Sequence, residues 1–247
     1  MEKEMPKDTL FPDLSEHNDV LNDQVATKWN RWSRWIAIRA NDGSHLDLHY
    51  IPNLAWVMRA INMFKLIGYV VYTVYPSSFE DLTPMQAWGY YKQQLAKVPS
   101  GNGRRRRQVR LIDIETWSGK YHGDHSASIL AFWNIVWRDS NNSRPAWQRK
   151  TIGIKTYCQW LDQRRTPVYG NAGDLDELFP RNKRPRNLVV FLANYTANPP
   201  YPGKVVHQFS SNYPIPGLGS VDINTADGYS PQALGRTLGI STLTIGL

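Results

Sequence analysis

Eight short apolar runs with the composition of β-strands punctuate the chain, and stretches of helical period separate the first five of them. The runs fall at 10–15, 35–41, 67–75, 109–115, 166–172, 187–194, 205–211 and 221–226. Between them the apolar spacing predicts helices from Val20 to Trp32, Asn53 to Leu66, Thr83 onward, Ser126 to Trp137, Pro145 to Arg164 and Asp174 to Phe179. Leu54, Val57, Met58, Ile61 and Phe64 form one apolar stripe on the second of these. Thr83-Pro84-Met85-Gln86 opens the third with a capping box and a proline at its first position. The connectors among the last three runs are rich in Pro and Gly and too short for packed helices.

Strand alternating with helix calls for a parallel sheet, and eight strands suffice to close it into a barrel. The expected fold is α/β: an irregular TIM-like barrel of five β/α units followed by three β-strands, with a short C-terminal appendage. Residues 1–228 are the expected barrel domain. Residues 229–247 are an extension for docking or packing, in which Ser230-Pro231 starts a short helix and 240–247 is strand-like.

The fourth run, 109–115, carries Asp113 and Glu115 one residue apart among Leu111, Ile112 and Ile114. Side chains alternate along a strand, so the two acids share a face, roughly 6 to 7 Å apart. In a barrel of this kind working residues sit at the carboxyl ends of the strands. Strand one ends with Asp13, strand two with Asn41-Asp42, and strand eight carries Asp222. A structural network paired with Arg39 would not need acids from so many strands. Acids converging on one mouth suit glycoside hydrolysis, which needs a protonated acid at the leaving oxygen and negative charge to stabilise an oxocarbenium-like transition state. Crowding favours the protonated form of the acid hardest to ionise. Glu115 is the expected acid, with Asp113, Asp13 and Asp222 ionised around it. Tyr72, Tyr75, Trp117, Tyr121, Tyr195 and Phe209 are candidates for stacking on sugar rings.

Lys and Arg exceed Asp and Glu, for a formal net charge of +8, which favours an anionic partner such as nucleic acid, membrane or wall polymer. Much of the excess lies in Arg104–Arg107 and in 181–186, both read as solvated loops. No recognition motif or zinc-ligand spacing supports a nucleic-acid binder, and His122 and His125 in a Gly-containing loop are a weak match to a metal site. The single cysteine, Cys158, excludes an internal disulfide. The polar start lacks a secretory h-region and no apolar run spans a bilayer. The expectation is a protein made in the cytoplasm and carried outward by something else.

Taken together, FPDLSEHND, WIAIRANDG, LIDIET, TPVYGN, FLANY and HQFSSNYPIPGLGSVDINTADG resemble glycoside hydrolase family 25, the Chalaropsis-type lysozymes, in order and spacing from about Phe11 to Gly228. The resemblance implies a muramidase that cuts the β-1,4 bond between N-acetylmuramic acid and N-acetylglucosamine in bacterial peptidoglycan, without metal or cofactor. It implies Glu115 as acid/base, Asp113 as the partner orienting the substrate's N-acetyl group, Asp13 and Asp222 as the other active-site acids, and Tyr195 as a cleft aromatic. Asp42, Tyr72, Trp117 and Phe209 join it as substrate-binding candidates. The chain departs from the family pattern at Asn41-Asp42-Gly43, where T-E-G is usual, in VVYTVY, which lacks a His, and at His207, where Trp is usual. The implied setting is a bacteriophage lysin, either an endolysin released at lysis or a virion-borne enzyme docked to tail proteins through the extension. The alternative is a wall-binding structural component of a phage tail without useful turnover.

Overall fold

The computed structural model describes residues 8–23, 33–63, 66–75, 80–99, 107–114, 126–142, 152–157, 188–193, 195, 198 and 203–240. Among them are nine strands: β1 Thr9–Leu14, β2 Ala37–Asp42, β3 His45–Leu46, β4 Tyr69–Val74, β5 Gln108–Asp113, β6 Ile152–Tyr157, β7 Leu188–Ala193, β8 Lys204–Ile215 and β9 Gly219–Ala226. Four helices accompany them: α1 Tyr50–Asn62, α2 Pro84–Ala96, α3 Ser126–Asn141 and α4 Pro231–Thr237.

The sheet runs β1-β9-β8-β7-β6-β5-β4-β2-β3, and β1 also pairs with β2. Eight strands therefore close a ring, with β3 attached outside it as a hairpin partner of β2. Every neighbouring pair from β1–β2 round to β7–β8 is parallel, while β8–β9 and β9–β1 are antiparallel. This is the expected barrel, five parallel units completed by three strands. Helices α1, α2 and α3 follow the second, third and fourth barrel strands.

Each barrel strand must bury two faces, which explains why all six residues of β4 and all six of β7 are buried. The inner face gathers Phe11, Val70, Tyr72, Leu111, Phe191 and Val206 into one apolar cluster. The outer face packs Ile38, Val71 and Ile112 against the helices. Leu54, Val57, Met58 and Ile61 of α1 are buried as their spacing predicts, although the helix starts three residues earlier than expected. In α3, Ile129, Phe132, Trp133 and Val136 keep the same three-to-four spacing, and Phe132 stacks on Tyr75 with ring centroids 4.4 Å apart. The capping box of α2 forms as read: Thr83 Oγ1 accepts the Gln86 N–H and Gln86 Oε1 accepts the Thr83 N–H at 3.0 Å.

One expected helix is a strand. The apolar spacing of Pro145–Arg164 predicts a helix, yet Ile152–Tyr157 is β6, hydrogen-bonded between β5 and β7. Ile152, Ile154 and Thr156 alternate at period two with β-branched side chains, and pairing on both edges overrides the helical spacing of the neighbouring aromatics. The place between β5 and β7 expected for 166–172 is thus held by Ile152–Tyr157. Residues 166–172, the Asp174–Phe179 helix, nearly all of the Val20–Trp32 helix and 241–247 lie outside the described residues.

The amino-terminal end of the barrel is plugged. Helix α4 starts at the expected Ser230-Pro231, with Ser230 Oγ accepting the Ala233 N–H. Its Leu234, with Leu238 and Ile240 beyond it, is buried in the inner cluster beside Trp35. Trp35 Nε1 donates to the Pro231 carbonyl at 3.0 Å, and Thr9 Oγ1 donates to the Tyr229 carbonyl at 2.7 Å. Residues 231–240 therefore commit their apolar side chains to the barrel floor. A Cβ placed on Gly68 would lie 2.6 Å from both Trp35 Cη2 and Ile240 Cδ1, closer than any relaxed contact. Gly68→Ala should therefore destabilise the fold by about 1–3 kcal/mol through overpacking. Urea denaturation should show a lowered midpoint, partly restored in Gly68→Ala/Ile240→Ala; an unchanged midpoint in the single variant would contradict the plug.

Candidate active site

The plug at one end leaves the carboxyl ends of the parallel strands as the open mouth. Asp13 stands one residue from the end of β1, Asp42 and Asp113 end β2 and β5, and antiparallel β9 brings Asp222 directly opposite Asp13. Directly paired residues of an antiparallel ladder place their Cβ atoms about 4.5–5.5 Å apart on one face. Asp13 and Asp222 are thus side by side by construction, although 209 positions separate them in the numbering. Asp13, Asp42 and Asp113 are buried, and Asp222 is half-buried.

A cavity of about 270 Å³ opens beside this pair. Strand β1 and the turn after it supply Asp13, Ser15, His17 and Asn18; β2 and β4 supply Arg39, Tyr72 and Val74. The β8–β9 hairpin, which runs past the end of β7, supplies Ser211, Ser220 and Asp222, and exposed Tyr195 completes the wall. Small-ligand pockets run from roughly 300 Å³ upward, and this one stands near that lower bound.

The positions of Asp42 and Asp113 follow from register. Ala37, Ile38 and Arg39 pair with Val70, Val71 and Tyr72, but a bulge at Ala40 then sets Asp42 beside Val74. The extra residue turns Asp42 to the inner face, shared with Tyr72 and Val74, and sends Asn41 outward, where its Nδ2 donates to the Gly43 carbonyl at 2.8 Å. Asp113 pairs with Val74 from the other side, and its carbonyl accepts the Tyr75 N–H at 2.9 Å. Both acids therefore flank a residue of the cavity wall without lining the cavity themselves. Glu115 and Trp117 lie outside the described residues. Among the aromatic candidates, Tyr72 and Tyr195 line the cavity. Phe209 packs instead against His207 and Tyr213, with ring centroids 6.2 and 6.5 Å away.

Arg39 is committed to a network with Glu16 and Asp47, residues that share no motif in the sequence. Its Nε donates to Asp47 Oδ2 at 2.9 Å and its Nη2 to Glu16 Oε1 at 3.0 Å. Glu16 also accepts from His45 Nε2 at 2.6 Å and from the Leu48 N–H, while its own N–H donates to Asp47 Oδ2 at 2.8 Å. Burial opposes ionisation of Glu16, but the His45 and Leu48 hydrogen bonds and the Arg39 charge outweigh it and hold the carboxyl below the ordinary glutamate value. Burial likewise opposes the Arg39 charge, and Tyr72, Asp47 and Glu16 outweigh it, raising its pKa. The network fixes the Ser15–Asn18 wall: His49 Nδ1 donates to the Asn18 carbonyl at 2.7 Å, and Asn18 Nδ2 to the Ser220 carbonyl at 2.7 Å. The hairpin behind it depends on Gly43, whose φ of 60° lets β2 turn into β3 and return His45 to Glu16.

Among the described residues, no group of three or more His, Cys, Asp or Glu is placed to hold a metal ion, and no helix is long and apolar enough to cross a membrane. His122 and His125 lie outside them.

No protein-family model matches the chain. A relative in sequence is the uncharacterized protein Rv3766 of Mycobacterium tuberculosis, 27% identical in an alignment 248 positions long that covers 95% of this chain and 75% of that one. The fold is shared with solved structures of glycoside hydrolases and lysozymes. A bacterial lysozyme from Streptomyces coelicolor superposes with a TM-score of 0.65 at 17% identity, over 94% of this chain and 98% of its own. A family 25 glycosyl hydrolase from Bacillus anthracis gives 0.62 at 12% identity, over 92% of each chain.

Since the folded pKa of Glu16 lies below its unfolded value, its contribution to stability is full above about pH 4.5 and is lost as pH falls through the folded value. Wild type should exceed Glu16→Gln in urea midpoint at pH 6, and the gap should shrink by pH 3. An equal gap at both pH values would contradict the ion-pair network.

Proposed function

We propose that this chain is a peptidoglycan muramidase of the family 25 type, hydrolysing the β-1,4 bond between N-acetylmuramic acid and N-acetylglucosamine. The observation that carries the reading is the Asp13–Asp222 pair across the β1–β9 seam, in the wall of the cavity at the open end of the barrel. The shared fold with a lysozyme and a family 25 hydrolase, and the resemblance in LIDIET and VDINTADG, add support.

The roles are those the family resemblance implies, and glycoside chemistry gives each its reason. Glu115 protonates the leaving glycosidic oxygen and later activates water. Asp113, two residues before it in the sequence, orients the N-acetyl group of the sugar as internal nucleophile. Asp13 and Asp222 supply negative charge where the oxocarbenium character develops. Tyr195 offers its exposed ring to a sugar face and Tyr72 lines the same cavity; Asp42, Trp117 and Phe209 join the substrate-binding set only on the sequence reading. The net charge of +8 keeps the protein near anionic wall polymers. The setting we infer is a phage lysin, acting from the virion or after release at lysis.

Purified peptidoglycan digested by wild type should yield fragments with muramic acid at the new reducing terminus, identified by mass spectrometry. Glu115→Gln should lower the rate by about 10² to 10⁴, the usual weight of a general acid. Full activity in Glu115→Gln, or products cut at peptide bonds, would overturn the reading. Wild type that pellets with walls but releases no reducing ends would favour a wall-binding tail component instead.

A further inference from the structure

Beneath the acid pair, the inner face of the barrel holds two amides whose hydrogen-bonding capacity is largely unused. Gln208 on β8 pairs with Asn224 on β9, and Asn224 pairs with Phe11 on β1. Asp222 and Asp13 are the next same-face positions along β9 and β1, so the amides lie one layer below them, roughly 6 to 7 Å deeper. Gln208 is fully buried and Asn224 is 1% exposed. Asn224 Nδ2 donates to the Phe11 carbonyl at 3.4 Å. Gln208 Nε2, Gln208 Oε1 and Asn224 Oδ1 are buried without a hydrogen-bond partner. The residue beside Gln208 on β7 is Ala193, which carries no polar side-chain atom to meet the amide.

Three idle polar atoms in one layer are expensive unless something small and polar meets them. A protein keeps such a layer where water or a ligand group completes it. The atoms offer two acceptors and one NH₂ donor, which one or two water molecules match with their own hydrogens and lone pairs. We propose that Gln208 and Asn224 form a hydrated amide floor whose water bridges upward to the Asp13–Asp222 carboxylates. The two amides are positioning residues: they act through that water on the acids and do not touch the sugar. This inference rests on Asp13 and Asp222 being the working acids of the proposed muramidase, but its structural half is tested independently of activity.

A crystal structure of the full chain at a resolution that shows ordered water should reveal density within hydrogen-bonding distance of Gln208 and Asn224; a dry, empty layer would overturn the proposal. Gln208→Met keeps the volume and removes the amide. It should unfold at the same temperature as wild type or higher, because a polar group lacking protein partners is gone. Against peptidoglycan its kcat should fall by up to about a hundredfold, as for misplaced groups, with KM unchanged and the pH–rate profile displaced. Gln208→Glu, which restores polar atoms at that depth, should recover more of the rate than Gln208→Met. A Gln208→Met protein with wild-type kcat and pH profile, or one that is strongly destabilised, would contradict the floor. If wild type cleaves no peptidoglycan the muramidase reading fails, while the water density and the melting temperature still decide the floor.

Discussion

The antiparallel pairing of β1 with β9 is what the rest of the molecule depends on. Without it the sheet is an open, mostly parallel array with two raw edges; with it, eight strands close on themselves and no barrel edge is left to pair with other chains. The same five-residue register, from Thr9↔Ala226 to Asp13↔Asp222, sets two carboxylates face to face at the mouth. Closure and chemistry are therefore one structural event: a slip of one residue would open the seam and turn one acid of the pair to the outer face.

The barrel interior is graded along its axis. At the floor, Trp35, Leu234, Leu238 and Ile240 make a dry plug. Midway, Leu111, Phe191 and Val206 fill the bore. Above them come the amides of Gln208 and Asn224, and then the acids. The described acids of the bore stand at the mouth, while the polar atoms at the floor, Thr9 Oγ1 and Trp35 Nε1, are spent on carbonyls of the plug. The apolar layers below supply most of the burial that offsets the cost of gathering like charges at the top. Arg39 serves this end too. Its guanidinium, engaged by Glu16 and Asp47, braces the Ser15–Asn18 wall in place.

The parts legible in the sequence were those encoded locally. A short apolar run ending in an acid is visible in FPDLS and LIDIET, the α2 capping box sits in four consecutive residues, and the α1 stripe shows its period directly. What stayed hidden depends on partners distant in sequence. IGIKTY becomes a strand because β5 and β7 claim both its edges, not because its own spacing outcompetes the flanking aromatics. The bulge at Ala40 is invisible until β4 is laid beside β2, yet it decides that Asp42 rather than Asn41 faces inward. Glu16, Arg39 and Asp47 carry no motif, because their ring closes only when the turn after β1 meets the β3 hairpin. Gln208 reads as an ordinary strand residue until its burial is known.

The central claim is that Asp13 and Asp222 stand together in the wall of a saccharide pocket. The most direct measurement is a crystal structure of the chain with an N-acetylglucosamine oligomer bound. The account predicts a sugar ring in the cavity at the barrel mouth, within hydrogen-bonding reach of Asp222 and against the face of Tyr195. An oligomer bound elsewhere, or a cavity that stays free of sugar at saturating concentration, would contradict it.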